Sequence, residues 1–326
     1  MRFLPTSITL FTLSSQSLFV IASESPFAIS VFSTTVYASR YNASDTIEIL
    51  KYPTTKAFQD YYKSAVLNFG GHVDDQHNMH REEVIINSTL KPAIKAWEAQ
   101  LGVEQLPFVH AFFISSVFDW RFRRLAANLV FPPYTPKLAT KEGPAEQAAY
   151  AAYGFIECRN LGRRIEECNE DGPENLILTL EYEKEYLYIW IQVVDFELGI
   201  CPLHRKSFIR ELGESYRETL GPEAYDQIFR TVLNKVLGGM DARFYKREDV
   251  RAIIVAGEAS VSASLNLAKL AQSVVGTDTA KIMTDIPFSE VAARGAAAWA
   301  RETEVTPHRF LIEEGNFPSP HEHDEL

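Results

Sequence analysis

Hydrophobic and polar positions along this chain fall into two patterns. Short apolar runs bounded by turn residues predict strands, and apolar stripes at i, i+3, i+4 predict helices. Phe27 to Leu50 holds two such runs, FAISVFSTTVYASRY and TIEIL, separated by Asn42, Ala43, Ser44 and Asp45, and reads as a hairpin. A polar, histidine-containing segment follows from Gly70 to Glu83. Helical spacing then runs from Leu90 to Leu101, and Pro107 introduces FVHAFFISSVF, whose β-branched and aromatic content predicts a buried strand. Pro132 to Pro136 is loop. Gly143 and Pro144 open the Ala-rich helix AEQAAYAAYGF, with Gly154 as its end. Glu174 to Phe196 alternates well enough for a second hairpin, with Glu183, Lys184 and Glu185 at the bend. Helices are expected over Ser207–Gly221 and Pro222–Leu237, and a short strand over Val250–Ala256. Another helix carries Leu267, Leu270, Ala271, Val274 and Val275 on one stripe, and a last one covers Ser289–Arg301.

Helices and strands alternate, so the predicted class is α/β with a mixed sheet. The two hairpins stand at the start of the two halves, as in a duplicated two-lobed domain, and no repeat at solenoid periods is present. The chain has 326 residues with 46% hydrophobic positions, enough to bury a core without disulfide staples. Its 32 Lys and Arg against 43 Asp and Glu give a net charge of −11. With no long basic run, that charge argues against nucleic acid as the main partner, because affinity for a polyanion comes from phosphate neutralisation.

The two ends name a compartment. Arg2 precedes a mostly apolar stretch ending in Val20, Ile21 and Ala22, a secretory signal pattern in which residues 1–22 are cleaved. Pro5, Gln16 and many Ser and Thr make a permanent membrane span costly there. The last residues, His323, Asp324, Glu325 and Leu326, spell HDEL, which a retrieval receptor reads. HDEL serves only a chain that has entered the endoplasmic reticulum, so the two signals together point to a resident of its lumen. Asn42 and Asn87 open acceptor tripeptides for N-glycosylation. In an oxidising lumen a local disulfide between Cys158 and Cys168 is expected, with Cys201 left as a buried apolar residue. No CxxC pair is present to suggest zinc.

Three segments resemble the actin-like ATPase domain of the heat-shock protein 70 family, strongly diverged. VRAIIVAGEASVSASLNLAKLAQSVVG followed by DIPFSEVAARGAAAWA is similar to the family's adenosine segment. GPAEQAAYAAYGF resembles its connecting helix, and AISVFSTTVYASRY resembles its first phosphate hairpin. The resemblance implies a two-lobed actin-like, ribonuclease H-like fold with a reduced peripheral subdomain, because the interval from Leu50 to Leu90 is short for the family. Lobe I would span 27–157 and lobe II 172–287. A closing helix over 288–301 would return to lobe I, and a flexible tail over 302–326 would end in HDEL. A peptide-binding domain of the usual chaperone kind is absent.

What the resemblance would make a nucleotide site is degraded. Ser30 and Phe32 stand where the family has a carboxylate and a glycine, so no carboxylate orients metal-bound water and a ring obstructs the phosphate cradle. Thr34 and Ser33 remain as hydroxyls. The second hairpin reads Thr179, Leu180, Glu181, Tyr182, Glu183 and Lys184 in place of a Gly-rich turn. Carboxylates of Glu181, Glu183 and Glu185 near a nucleotide would each cost about 4 kcal/mol at about 4 Å and an effective dielectric of about 20. Two such contacts equal a micromolar site, worth about 8 kcal/mol. These glutamates are expected to face solvent as an ordinary turn, with Lys184 offsetting one of them. The adenosine loop keeps Gly257 but has Ala256 as its partner. Glu258, Ala259, Ser260 and Val261 follow, without the expected arginine. Gly295 and Ala296 are retained, and they serve packing.

Other constellations are weaker. His72, Asp74, Asp75, His77 and His80 could coordinate a divalent metal, but a solvated surface loop is the commoner explanation. His321 and His323 belong to a polar tail. Tyr182, Tyr186, Tyr188 and Trp190 form an aromatic ladder on one hairpin face, read as lobe packing rather than a binding surface. No Gly-x-Ser-x-Gly, Walker A or His-Glu-x-x-His motif occurs. The sequence therefore points to a lumenal pseudo-ATPase with no catalytic residue, no metal and no required cofactor. It would act as a binding or regulatory factor toward lumenal chaperones or folding clients. One alternative is an active or slow chaperone-type ATPase that uses ATP and magnesium through Thr34, Thr179 and Gly257; another is an unrelated lumenal metal-dependent enzyme.

Overall fold

The computed structural model describes residues 26–69, 75–106, 109–131, 141–155, 158–161, 175–195, 199–240, 245–276 and 280–305. They form a mixed α/β structure with two five-stranded sheets. In the first sheet, β1 (Phe27–Val31), β2 (Thr35–Tyr41) and β3 (Ile47–Pro53) form an antiparallel meander. Helices α1 (Lys56–Leu67) and α2 (Asp75–Leu101) lead to β4 (Val109–Ile114), parallel to β1. Helix α3 (Trp120–Val130) then leads to β5 (Lys141–Pro144), parallel to β4, and α4 (Ala145–Ala149) follows.

The second half repeats this order. The strands β6 (Leu176–Tyr182), β7 (Leu187–Asp195) and β8 (Gly199–Ile209) form a meander. After α5 (Glu214–Leu220) and α6 (Pro222–Gly238) comes β9 (Val250–Ala256), parallel to β6. Then α7 (Val261–Val275) precedes β10 (Lys281–Met283), parallel to β9, and α8 (Val291–Val305) closes the series. Strand order is β3-β2-β1-β4-β5 in one sheet and β8-β7-β6-β9-β10 in the other. Both halves therefore run three strands, two helices, strand, helix, strand, helix, which is a duplicated plan.

Side-chain alternation divides each sheet between two cores. On β1, Phe27, Ile29 and Val31 face the core shared with α1, α2 and α3, while Ala28, and Phe32 just after the strand, face a second core. On β6, Leu176, Leu178, Leu180 and Tyr182 face the core made with α6 and α7, and Ile177 faces that same second core. This second core is shared by the two sheets and filled by α4 and α8. Because α4 and α8 present mainly alanine there, they approach closely. A Cβ added at Gly295 would lie 1.7 Å from the Ala148 carbonyl oxygen. Ser39 Oγ donates to the Ala293 carbonyl (2.6 Å) and Trp299 Nε1 to the Gln147 carbonyl (3.1 Å).

Several sequence expectations need correction. The run FAISVFSTTVYASRY is itself a hairpin, turning at Phe32–Thr34, so the first meander has three strands. The polar segment expected as loop enters helix α2 at Asp75, well before Leu90. Ser207–Ile209 ends β8 rather than opening a helix, and α5 starts only at Glu214. AEQAAYAAYGF is a one-turn helix followed by a 3-10 turn, and it ends at Gly154, which takes φ +70° as a left-handed cap. The hairpin over Glu174 to Phe196 and the strand over Val250–Ala256 stand as predicted. The last helix runs over Val291–Val305, preceded by a 3-10 turn at Phe288–Glu290.

Candidate functional site

In parallel sheets ligands are bound beyond the carboxyl ends of the strands, where the direction of chain progression switches. Four such ends converge here. The β1–β2 turn (Phe32–Thr34) and the residues after β4 (Ser115, Ser116) come from the first sheet. The β6–β7 turn (Glu183–Tyr186) and the loop after β9 (Gly257–Ser260) come from the second. They occupy equivalent positions in the two repeats.

What joins them is carboxylate. Glu258 Oε2 accepts from Thr34 N (2.7 Å) and Ser33 Oγ (2.7 Å), bridging the sheets. Glu181, only 1% exposed, accepts from Ser115 Oγ (2.8 Å), Tyr186 Oη (2.5 Å), Ser116 N (3.1 and 3.2 Å) and Ser116 Oγ. Tyr62 of α1 donates to Tyr186 Oη (3.1 Å), which extends this network into the first half. Glu183, fully buried, accepts from the Glu258 N–H (3.1 Å) through Oε1, and its Oε2 has no hydrogen-bond partner among the described residues. Glu214 accepts from Ser260 N (3.0 Å) at the first turn of α7, beside an open groove lined also by Arg217, Glu218 and Asn266. Each of four main-chain N–H groups, at Thr34, Ser116, Glu258 and Ser260, is thus taken by a glutamate.

Burial sets the electrostatics. It pushes the Glu183 carboxyl well above the ordinary range, and the nearby Glu258 and Glu181 add to the effect. Burial also raises Glu181, against the lowering effect of its hydroxyl and backbone donors. Tyr37 is pushed up to about 12, first by burial and then by Glu258. The loop approaches this cluster so closely that only glycine fits at position 257. Its φ is +123°, and a Cβ there would lie 2.3 Å from the Tyr182 carbonyl oxygen and 2.8 Å from Glu183 Oε1.

Of the residues flagged in the sequence, Thr34, Glu181, Glu183, Gly257 and Glu258 gather at this junction. Ser30 is buried, and its Oγ has no partner among the described residues. Phe32 packs edge-on against Tyr37 with ring centroids 5.9 Å apart, and Ala256 is buried in the same shared core. Thr179 is buried and donates to Gln192 Oε1 (3.2 Å). The glutamates expected to face solvent do not. Glu181 and Glu183 are buried and Glu185 is half-buried, because donors distant in sequence stabilise Glu181 and the closed junction covers the turn. Sequence reasoning missed Ser115, Ser116 and Tyr62. The small hydroxyls ending the apolar run FVHAFFISSVF were the available signal.

The aromatic ladder is split. Tyr182 faces the second-half core and hydrogen-bonds with Tyr225, whereas Tyr186, Tyr188 and Trp190 pack against the first-half core, because Tyr182 and Tyr186 lie on opposite faces across the turn. Asn42 is exposed at the β2–β3 turn, where its Oδ1 accepts from Ser44 N and Thr46 N. Asn87 lies half-buried on α2 with Nδ2 donating to the Glu83 carbonyl (2.9 Å). Asp75 and His77 lie on α2 and His80 there is exposed; His72 and Asp74 fall outside the described residues. Residues 1–22, the side chains of Cys158, Cys168 and Cys201, the loop over Pro132–Pro136, and the tail with His321, His323 and HDEL fall outside them as well. Among the described residues no helix is long and apolar enough to cross a membrane, and no group of three potential metal ligands is assembled. The chain matches no protein-family model and no curated protein.

Proposed function

We propose that this is a heat-shock-70-like protein of the endoplasmic reticulum lumen, on a two-lobed actin-like fold, that has lost efficient ATP hydrolysis. It acts as a binding or regulatory factor in protein folding, with lumenal chaperones or folding clients as partners. The compartment rests on the signal pattern and on His323, Asp324, Glu325 and Leu326. The fold rests on the repeated element order and on α4 and α8 returning to one shared core, as a duplicated two-lobed domain requires.

One observation carries the loss of ATP hydrolysis. Main-chain N–H groups beyond strand ends are what a protein offers to phosphate. Here those of Thr34, Ser116, Glu258 and Ser260 are taken by Glu258, Glu181, Glu183 and Glu214. The chain's own glutamate side chains stand where an anion would bind. A polyphosphate would have to displace these side chains and tolerate the charge of those that are ionised, at about 4 kcal/mol for each close like-charge contact. What remains for such a chain is recognition through its surface, and the partner class follows from fold and compartment.

Affinity capture of the tagged protein from native lumenal extract tests this. The expected result is stoichiometric recovery of a lumenal chaperone or an unfolded client. A clean monomer, recovered alone from extract in which those proteins are abundant, would contradict the reading.

A further inference from the structure

Glu183 stands in surroundings built for an acid rather than an ion. It is fully buried, Oε1 is held by the Glu258 N–H, and Oε2 has no partner among the described residues. Among the described residues, the ionisable groups that act on it most strongly are acids and phenols: Glu258 from the loop after β9, Glu181 from β6 and Glu185 from the turn. Tyr62 of α1, Tyr186 of β7 and Tyr37 of β2 complete the set. The bases nearby are directed elsewhere. Lys63 and Lys184 act on Glu185, and Lys184 is exposed. Glu214, whose N–H bonds the Glu183 carbonyl (3.0 Å), spends its own carboxylate on Ser260.

The backbone partner of Glu183 also spans the junction. Glu258 gives its N–H to Glu183 on the second sheet and its carboxylate to Ser33 and Thr34 on the first. Gly257 packs directly on Tyr182 and Glu183, with no room for a side chain between them. The two halves stay joined elsewhere, through the shared core filled by α4 and α8 and through Tyr186, Tyr188 and Trp190 packed on the first-half core, so release of this loop is a local opening.

We propose that Glu183 is a proton-dependent latch between the two sheets. As the neutral acid it fits the closed junction and holds the Glu258 loop against the β1–β2 turn. As the carboxylate it repels Glu258 and Glu181, the loop lets go, and the N–H of Thr34 and the hydroxyl of Ser33 become free for another anionic group. One proton leaves Glu183 for each opening. The inference goes beyond the proposed function and depends neither on the compartment nor on a nucleotide.

The direction with pH follows from the balance of protons. In the closed junction, burial and then Glu258 and Glu181 hold this carboxyl well above 4.5, its ordinary value, which it regains when exposed. The closed form therefore binds more protons than the open one. Closure is complete below that ordinary value and weakens as pH rises toward the raised one.

Amide hydrogen exchange of the full chain, corrected for intrinsic rates, tests the latch between about pH 5 and about pH 8. In the wild type, protection over 32–36 and 256–260 should fall by about tenfold or more across this range, since release of one proton on opening gives up to about tenfold per pH unit. In Glu183→Gln, a neutral isostere, it should stay flat. In Glu258→Gln, which removes the nearest like charge, the loss should shrink. Equal pH dependence in wild type and Glu183→Gln, or an unchanged loss in Glu258→Gln, would overturn the proposal, as would a wild type whose protection does not change.

Discussion

Gly295→Ala should destabilise the protein by about 3 kcal/mol or more, because a methyl group there has no space to enter. Its Cβ would lie 1.7 Å from the Ala148 carbonyl oxygen, 2.6 Å from the Ala148 carbonyl carbon and 3.0 Å from the Ala152 nitrogen. All three are backbone atoms, so no side chain can swing aside. In an ordinary helix the same substitution stabilises, by about 1 kcal/mol, since alanine is the better helix former. The sign of the effect therefore reports contact between α8 and α4, not propensity. Moving α8 outward would also disturb the shared core, where Ala292, Ala293 and Ala296 are buried, and the bond from Ser39 to the Ala293 carbonyl. A thermal midpoint lowered by about 6 °C or more is the expected reading. A midpoint equal to or above that of the wild type would mean that the two helices do not meet at this position.

Glu181→Ala should cost about 3–5 kcal/mol in urea unfolding, the range for breaking a buried charged network from one side. The carboxylate accepts from two hydroxyls and a backbone N–H at the end of β4 and from the Tyr186 phenol. Deleting it orphans these donors in a place that water does not reach, and each unsatisfied group costs about 1–3 kcal/mol. Tyr62 would lose the far end of its relay as well. Glu181→Gln retains one acceptor oxygen but turns an amide N–H₂ toward groups that are themselves donors, so it should fall between wild type and alanine. A loss below about 1 kcal/mol for the alanine variant, no more than a typical point mutation costs, would contradict this account of the junction.

The fold was legible where burial leaves a one-sided signature. Val250–Ala256 is apolar throughout except Arg251, and ENLILTL with YLYIWIQVV alternates around an obvious turn, so both were readable. The first helix was not, although Phe58, Tyr62 and Val66 fall on one stripe; its tyrosines and lysines mask the apolar face. Helix α3 was hidden by Arg121, Arg123 and Arg124, whose charges surround a narrow buried row of Phe122, Ala126, Ala127 and Val130. Strand β8 lies at the sheet edge beside β7, and the polar sequence HRKS gives no burial pattern to read. The duplication is a matter of topology, because the paired elements share order and direction without sharing sequence.

The site was legible by position and not by role. Glu181, Glu183, Gly257 and Glu258 were recognisable as occupants of places where glycine and a phosphate cradle would be expected. Their charge suggested repulsion from a ligand and exposure to solvent. What the sequence does not reveal is that Ser115 and Ser116 lie across the junction, 66 and 65 positions from Glu181, or that Glu258 reaches back 224 positions to Thr34. A carboxylate becomes buried when such donors exist, and contacts of that range leave no local pattern.

Calorimetric titration of the purified protein with ATP and ADP, with and without magnesium, tests the central claim most directly, since the claim is that the N–H groups of Thr34, Ser116, Glu258 and Ser260 are already taken by the chain's own glutamates. No binding heat at about 1 mM nucleotide, a level at which a site worth about 4 kcal/mol would fill, is the result expected. Saturation at micromolar nucleotide would contradict it, because polyphosphate would then be displacing Glu258, Glu181, Glu183 and Glu214 with ease.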